Sequence, residues 1–257
     1  TVTQTVDECT SAEGSGTAAP INSNVATPTV TVTDNCGSSI LTASDFTGSL
    51  LWSNGATGTS ITVSVPGAYT VTQSVNGCSS SPAPGVAAPK AFPAAPTVSV
   101  VNNCESSIVT ASDFTGSLLW STGETTASIT VTTSGAFAVT QTVDGCTSAA
   151  ANGIAAPKTI PQLLGGLATT ATSNAEFTYH AASTLAGTSF AWSRAAITGI
   201  SNDAANGTGS ISEILINTTS SPVNVTYVYT LTANGCTNIK NVVVSVNPAE
   251  TENCRIN

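Results

Sequence analysis

This sequence predicts an all-β chain laid out as an elongated tandem array of small modules, and three observations carry the prediction. Residues 42–53 read TASDFTGSLLWS and residues 110–121 repeat the same twelve, with Cys36/Cys104, Trp52/Trp120 and Cys78/Cys146 all displaced by 68 positions. A fixed period of that size marks a repeat architecture. Apolar residues alternate with Thr, Ser and Asn in short runs punctuated by Gly, Asn and Pro, which is the signature of half-buried strands. No segment carries an amphipathic helical pattern.

The period divides the chain into residues 1–26, the closing part of a preceding repeat; 27–93, repeat A; 94–161, repeat B; 162–248, a divergent third β-domain; and 249–257, a tail or the start of a further module. The first division rests on Thr1 to Cys9 (TVTQTVDEC), which matches 70–78 (TVTQSVNGC) and 138–146 (AVTQTVDGC). With its Thr1 start, this reads as an excerpt opening inside a closing strand.

In repeat A, residues 29–33, 39–43, 49–53, 60–65 and 68–75 read as strands. Asn54-Gly55 and Asn76-Gly77 are hairpin-type turns, because both central positions accept positive φ. The last strand puts Tyr69, Val71, Gln73 and Val75 on a buried face and Thr70, Thr72 and Ser74 on a wet one. Repeat B keeps the pattern with Phe137, Val139, Gln141 and Val143. The recurring 85–90 (GVAAPK) and 153–158 (GIAAPK), echoed at 16–20, are either last strands or stiff connectors. The third domain alternates over 175–193 and 223–246, with a longer loop around 206–209.

Composition narrows the function classes. Lys and Arg total 5 against 14 Asp and Glu, a net charge of -9, which argues against nucleic acid and against an anionic membrane surface. No apolar run reaches the roughly 20 residues that span a bilayer. Only 7% of residues are charged, so the surface is mostly hydroxyl and amide and offers few sites to trypsin-like proteases. That suits a secreted protein.

Seven cysteines in such a chain suggest disulfides. A module that recurs as a unit most simply contains its own bridge, which predicts Cys36–Cys78 and Cys104–Cys146, each closing about 43 residues and contributing roughly 4 kcal/mol. Cys9 takes the position of a second repeat cysteine and is expected unpaired in this chain. Cys254, in Glu252-Asn253-Cys254, either opens a further module or pairs with Cys236. Zinc fits poorly, with one histidine and no C-x-x-C spacing; no metal or cofactor is expected.

Trp52, Trp120 and Trp192 are expected as core anchors, a single tryptophan per sandwich being its usual anchor, rather than as platforms for sugar rings. Asp45 and Asp113 are expected in turns, since lone acids lack the oxygen donors calcium needs. His180 has no placeable serine or cysteine partner. Glu176 and Glu213 are formally a carboxylate pair for glycoside hydrolysis that nothing else recommends. Asn206, Asn217 and Asn224 fit glycosylation sequons and are expected as surface or turn residues.

The motif Cys36, 51–55 (LWSNG), 60–63 (SITV), 67–71 (GAYTV) and 76–78 (NGC) resembles the immunoglobulin-like repeats of large surface adhesins from bacteria with a type IX secretion system, including SprB-type gliding adhesins. The third domain, through 190–192 (FAW), 214–219 (ILINTT), 225–229 (VTYVY) and 234–236 (NGC), resembles the PKD-like modules of the same proteins. The resemblance implies a β-sandwich per module and a non-catalytic stalk or filament segment at the cell surface, serving adhesion and gliding motility. Its expected partners are neighbouring modules, then surface glycans or other cell-surface proteins, with no nucleic acid and no membrane insertion. The alternative is an accessory, carbohydrate-binding region of a secreted multidomain enzyme.

Overall fold

The computed structural model describes residues 2–16 and 24–249, and every regular element in them is a β-strand. The Ala-Ala-Pro echo around Pro20 and the end that carries Cys254 lie outside the described residues. The chain divides into two units, Thr1–Ala94 with Thr142–Ser148, and Ala95–Gln141 with Ala149–Asn257.

The first unit opens on a hairpin of β1 (Thr5–Val6) and β2 (Cys9–Thr10). A sandwich follows. One sheet has the order β3 (Thr29–Asn35), β4 (Ser38–Ser44), β6 (Ser60–Val63). In the other, β7 (Gly67–Val75) pairs antiparallel with β5 (Ser49–Trp52), β8 (Cys78–Ser79) and β9 (Ala83–Ala87). Taken in sequence, that is the A-B-E and C-F-G arrangement of an immunoglobulin sandwich. Leu41, Leu50, Trp52, Ile61 and Val71 fill the space between the sheets.

Repeat B builds the same sandwich from β10 (Thr97–Asn102), β11 (Ser107–Ser112), β12 (Ser117–Trp120), β13 (Ser128–Val131), β14 (Gly135–Val143), β15 (Cys146–Thr147) and β16 (Ala151–Ala155). Its core is Val109, Leu118, Trp120, Ile129, Phe137 and Val139.

The third domain comprises β17 (Leu163–Leu164), β18 (Ala168–Thr172), β19 (Glu176–Tyr179), β20 (Ala182–Ser183), β21 (Ser189–Arg194), β22 (Ala205–Thr208), β23 (Ile211–Ile214), β24 (Val223–Ala233) and β25 (Cys236–Asn247). A five-stranded sheet, β18-β25-β24-β21-β22, faces the β19–β23 pair. Tyr227, Tyr229, Leu231, Val242 and Val244 lie wholly buried between them.

The duplicated twelve-residue block is the connection from the second to the third strand. Asp45 and Asp113 turn it in the left-handed region, at φ 57° and 56°. Gln73, buried on β7, then accepts the N–H groups of Thr47 and Gly48 on its Oε1 at 2.9 and 3.1 Å, and Gln141 does the same for Thr115 and Gly116. A connection that would otherwise leave backbone donors unpaired is thereby tied to the sheet.

Three local expectations change. Asn76-Gly77 is the expected two-residue turn, with φ 50° and 82°, but at Asn54-Gly55 only Gly55 has positive φ. That segment links β5 to β6, which belong to different sheets, so no hairpin forms there. Residues 206–208 lie in β22, paired with β21, not in a loop. The GVAAPK and GIAAPK stretches combine both readings, completing β9 and β16 before leaving through Pro89 and Pro157.

Candidate functional site

The predicted disulfides are overturned. Cys36 is bonded to Cys146 and Cys104 to Cys236, with Cα separations of 5.6 and 5.7 Å, inside the usual disulfide range. The reason lies in strand direction. Cys36 sits in the corner between β3 and β4, hydrogen-bonded beside Lys90, three residues beyond the end of β9, where Ala87 pairs with the first residue of β7, Gly67. Cys78 pairs with Val75 at the other end of β7. Nine residues at about 3.4 Å each separate those ends by roughly 30 Å, several times the Cα spacing a disulfide spans. One sandwich cannot bridge its own two cysteines.

Each bridge joins two constructions that recur. The donor side is a corner clamped by main-chain bonds: Gly37 N–H donates to Lys90 O at 2.8 Å and Lys90 N–H to Asn35 O at 2.9 Å, with Glu105, Lys158 and Asn103 repeating this at 2.7 and 2.8 Å. Behind the corner, Asp34 Oδ1 accepts Ser39 Oγ at 2.5 Å and Ala88 N at 3.0 Å. Those two bonds, with a smaller contribution from the Lys90 charge, hold the Asp34 carboxyl below its ordinary range against some desolvation. Repeat B has Asn102 there with the same geometry, so the oxygen acceptor matters more than its charge.

The receiving side is a two-residue turn ending in cysteine. Asp144-Gly145 and Asn234-Gly235 have φ of 49° and 81°, and 52° and 76°, which only turn-forming residues adopt readily. They place Cys146 opposite Val143 and Cys236 opposite Ala233. Lys90 Nζ donates to Asp144 O at 3.2 Å, and Lys158 Nζ lies 3.8 Å from where Gly235 would carry a Cβ. Of the five cations in the chain, two therefore stand at equivalent junctions. The bonded Cys146 and Cys236 are buried, whereas Cys78 is half-buried and Cys9 exposed, both as free thiols. Pairing of Cys236 with Cys254 is excluded by the bond to Cys104.

The other sequence candidates scatter. Trp52 and Trp120 are fully buried, their indole N–H groups donating to Gly58 O and Thr126 O at 2.8 Å. Trp192 is half-buried, edge-on to Tyr227 at 5.6 Å, and a Cβ on Gly207 would come within 2.5 Å of its ring. Glu213 pairs in register with Phe177 while Glu176 pairs with Ile214, so the two carboxylates point to opposite faces of the β19–β23 ribbon. They do not flank a common volume as a glycosidase pair must. His180 is exposed just past β19. Among the described residues no three His, Cys, Asp or Glu side chains gather as a metal site. Of the sequon residues, Asn217 is buried, its amide donating to Ser221 O and Val246 O at 2.8 Å, rather than lying at the surface.

One buried ionic cluster went unread in the sequence. Arg194, nearly inaccessible, meets Glu213 with Nε and Nη2 each at 3.1 Å from a carboxylate oxygen, and Tyr227 Oη donates to the same carboxylate. Desolvation pushes the Glu213 carboxyl up, but the bonds from Arg194 and Tyr227 outweigh it and leave it below its ordinary range. Burial, then the Glu213 carboxylate, raises the Tyr227 phenol, so it remains a neutral donor.

No family model and no curated protein matches the chain. Several solved structures resemble it at low identity. The three N-terminal domains of the Highly Immunogenic Outer Capsid protein of bacteriophage RB49 are 13% identical, with a TM-score of 0.35 over 87% of this chain and 100% of that one. Drosophila OTK extracellular domains 3–5 are 12% identical, TM-score 0.28, over 91% and 99%. Sidekick-1 immunoglobulin domains 1–5 are 12% identical, TM-score 0.25, over 87% and 58%.

Proposed function

We propose that this chain is a non-catalytic, extracellular load-bearing segment of a repetitive cell-surface adhesin of the type IX-secreted, SprB-like kind, in which small sandwiches are coupled covalently one to the next. The observation that carries this reading is that, among the described residues, both disulfides run between consecutive sandwiches and none closes within one. A bridge inside a sandwich stabilises that sandwich alone; a bridge across a junction resists separation of modules and transmits tension past it. Disulfides of this kind belong to oxidising compartments, in keeping with a location outside the cytoplasm. The covered faces of Trp52 and Trp120 support tethering over sugar stacking.

The test is attachment under flow. Cells displaying the chain between an anchor and a well-characterised binding tip hold on at a shear that detaches cells carrying Cys36→Ser with Cys104→Ser. Equal resistance of the two overturns the load-bearing role.

A further inference from the structure

We infer that Cys78 is a receiving cysteine, built to take a disulfide from the corner cysteine of another copy of this sandwich placed ahead of it. Three Asx-Gly-Cys turns in the chain share one construction. Asn76-Gly77 has φ 50° and 82°, matching Asp144-Gly145 and Asn234-Gly235 within a few degrees. Cys78 stands opposite Val75 as Cys146 stands opposite Val143 and Cys236 opposite Ala233. In the two latter turns the cysteine is bonded to the corner cysteine of the preceding sandwich. At Cys78 the same turn carries a free, half-buried thiol.

A second observation lies next to it. A cleft of about 260 Å³ opens beside Val75, lined by Val25, Ala26, Thr47 and Gln73. Val25 and Val75 stand 68 positions before Pro93 and Val143, which line the cleft at the occupied Cys36–Cys146 junction together with Lys90 and Cys146 itself. The cleft at the receiving end of the first sandwich thus shares these two repeat positions with the cleft of a filled junction, while Cys36, the other cysteine of this sandwich, is already engaged and stands at the far end of β7.

Bond formation joins two thiols as one disulfide with release of two protons and two electrons; a disulfide donor such as oxidised glutathione accepts them and leaves as two thiols. The full chain is extended by a copy of residues 95–162 inserted between Ala26 and Thr27, with the copy's Cys146→Ser, so that its Cys104 is the one new thiol. After oxidation with glutathione, peptide mapping is expected to show a Cys104–Cys78 link and at least a tenfold fall in Cys78 alkylation, with Cys36–Cys146 and the original Cys104–Cys236 retained. A second extension, copying residues 27–94 with Cys78→Ser in the copy, gives a Cys36–Cys78 link and guards against misfolding of one insert. The proposal is overturned if both extended chains melt cooperatively with their original bridges intact while Cys78 stays as alkylatable as in the unextended chain. This outcome is separate from the adhesin reading, which concerns what the coupled modules do.

Discussion

Cys36 and Cys146 are bonded across 110 positions of sequence, and Cys104, which lies between them, is bonded beyond both to Cys236. The two bridges are interlaced. The shortest covalent path from Cys36 to Cys236 crosses one bridge, runs back along the chain from Cys146 to Cys104, and crosses the other.

That path holds about 40 residues where the backbone itself has about 200, so at roughly 3.5 Å per residue the bridges conceal about 550 Å of contour length. Full unfolding of the oxidised chain in a force experiment is expected to extend it by that much less than the reduced chain. Bridges confined to single repeats, Cys36–Cys78 and Cys104–Cys146, would conceal only about 300 Å. A difference near the smaller value rejects the interlaced pairing.

Gln73 holds the first sandwich closed at its entry. Its Oε1 serves Thr47 and Gly48, and its Nε2 donates to Ala26 O at 2.6 Å. Gln73→Leu keeps the volume but strands two backbone donors, each costing about 1–3 kcal/mol when buried. The expected loss is about 3 kcal/mol, read as a lower urea midpoint with unchanged m-value. Gln141→Leu is expected to act alike on the second sandwich.

How far the fold was readable from the sequence can be judged from particular residues. The alternation at 69–75 places Tyr69, Val71, Gln73 and Val75 inward because a strand sends successive side chains to opposite faces, and Val71 and Gln73 are buried while Tyr69 and Val75 are half-buried. The disulfide pairing failed because a 68-residue period is satisfied equally by a bridge within a module and by one to the next. Strand direction breaks that tie. In an A-B-E and C-F-G sandwich the A–B corner and the F–G turn lie at opposite ends, so Cys36 and Cys78 point to different neighbours. Lys90 and Lys158, two of only five cations and both in the repeated AAPK, were a further unused sign of the junction. Arg194, Glu213 and Tyr227 come from three separate strands, and no spacing rule brings them together.

Gly153 in β16 faces the core of the second sandwich with no room for a side chain. A Cβ would lie 2.6 Å from Val98 Cγ1, 2.9 Å from Val100 Cγ2 and 3.1 Å from Val109 Cγ1, and Gly85 is confined in the same way by Val30, Leu41 and Val32. Neither glycine has positive φ, so the obstacle is packing and not backbone strain. Gly153→Ala is expected to cost about 1–3 kcal/mol by overpacking. A thermal melt of the variant checks it, and a second substitution, Val98→Ala, is expected to restore part of the loss.

The Arg194–Glu213–Tyr227 cluster makes the third domain sensitive to acid, with a sign fixed by the direction of the shift. Glu213 titrates below its ordinary range in the folded chain. Its stabilising contribution is therefore complete above the pKa of an unfolded glutamate, about 4.3, and is lost as pH falls through the lower folded value. Glu213→Gln removes the charge at every pH and leaves the inaccessible Arg194 guanidinium unpaired, at a cost of about 3 kcal/mol near neutrality. The stability difference between parent and variant, from urea titrations at stepped pH, is expected to be constant from pH 7 to 5 and to shrink below about pH 4. Arg194 stays charged throughout, so the narrowing comes from the parent losing its carboxylate. A difference that holds unchanged into acid would mean that Glu213 acts by hydrogen-bonding geometry alone and not by its charge.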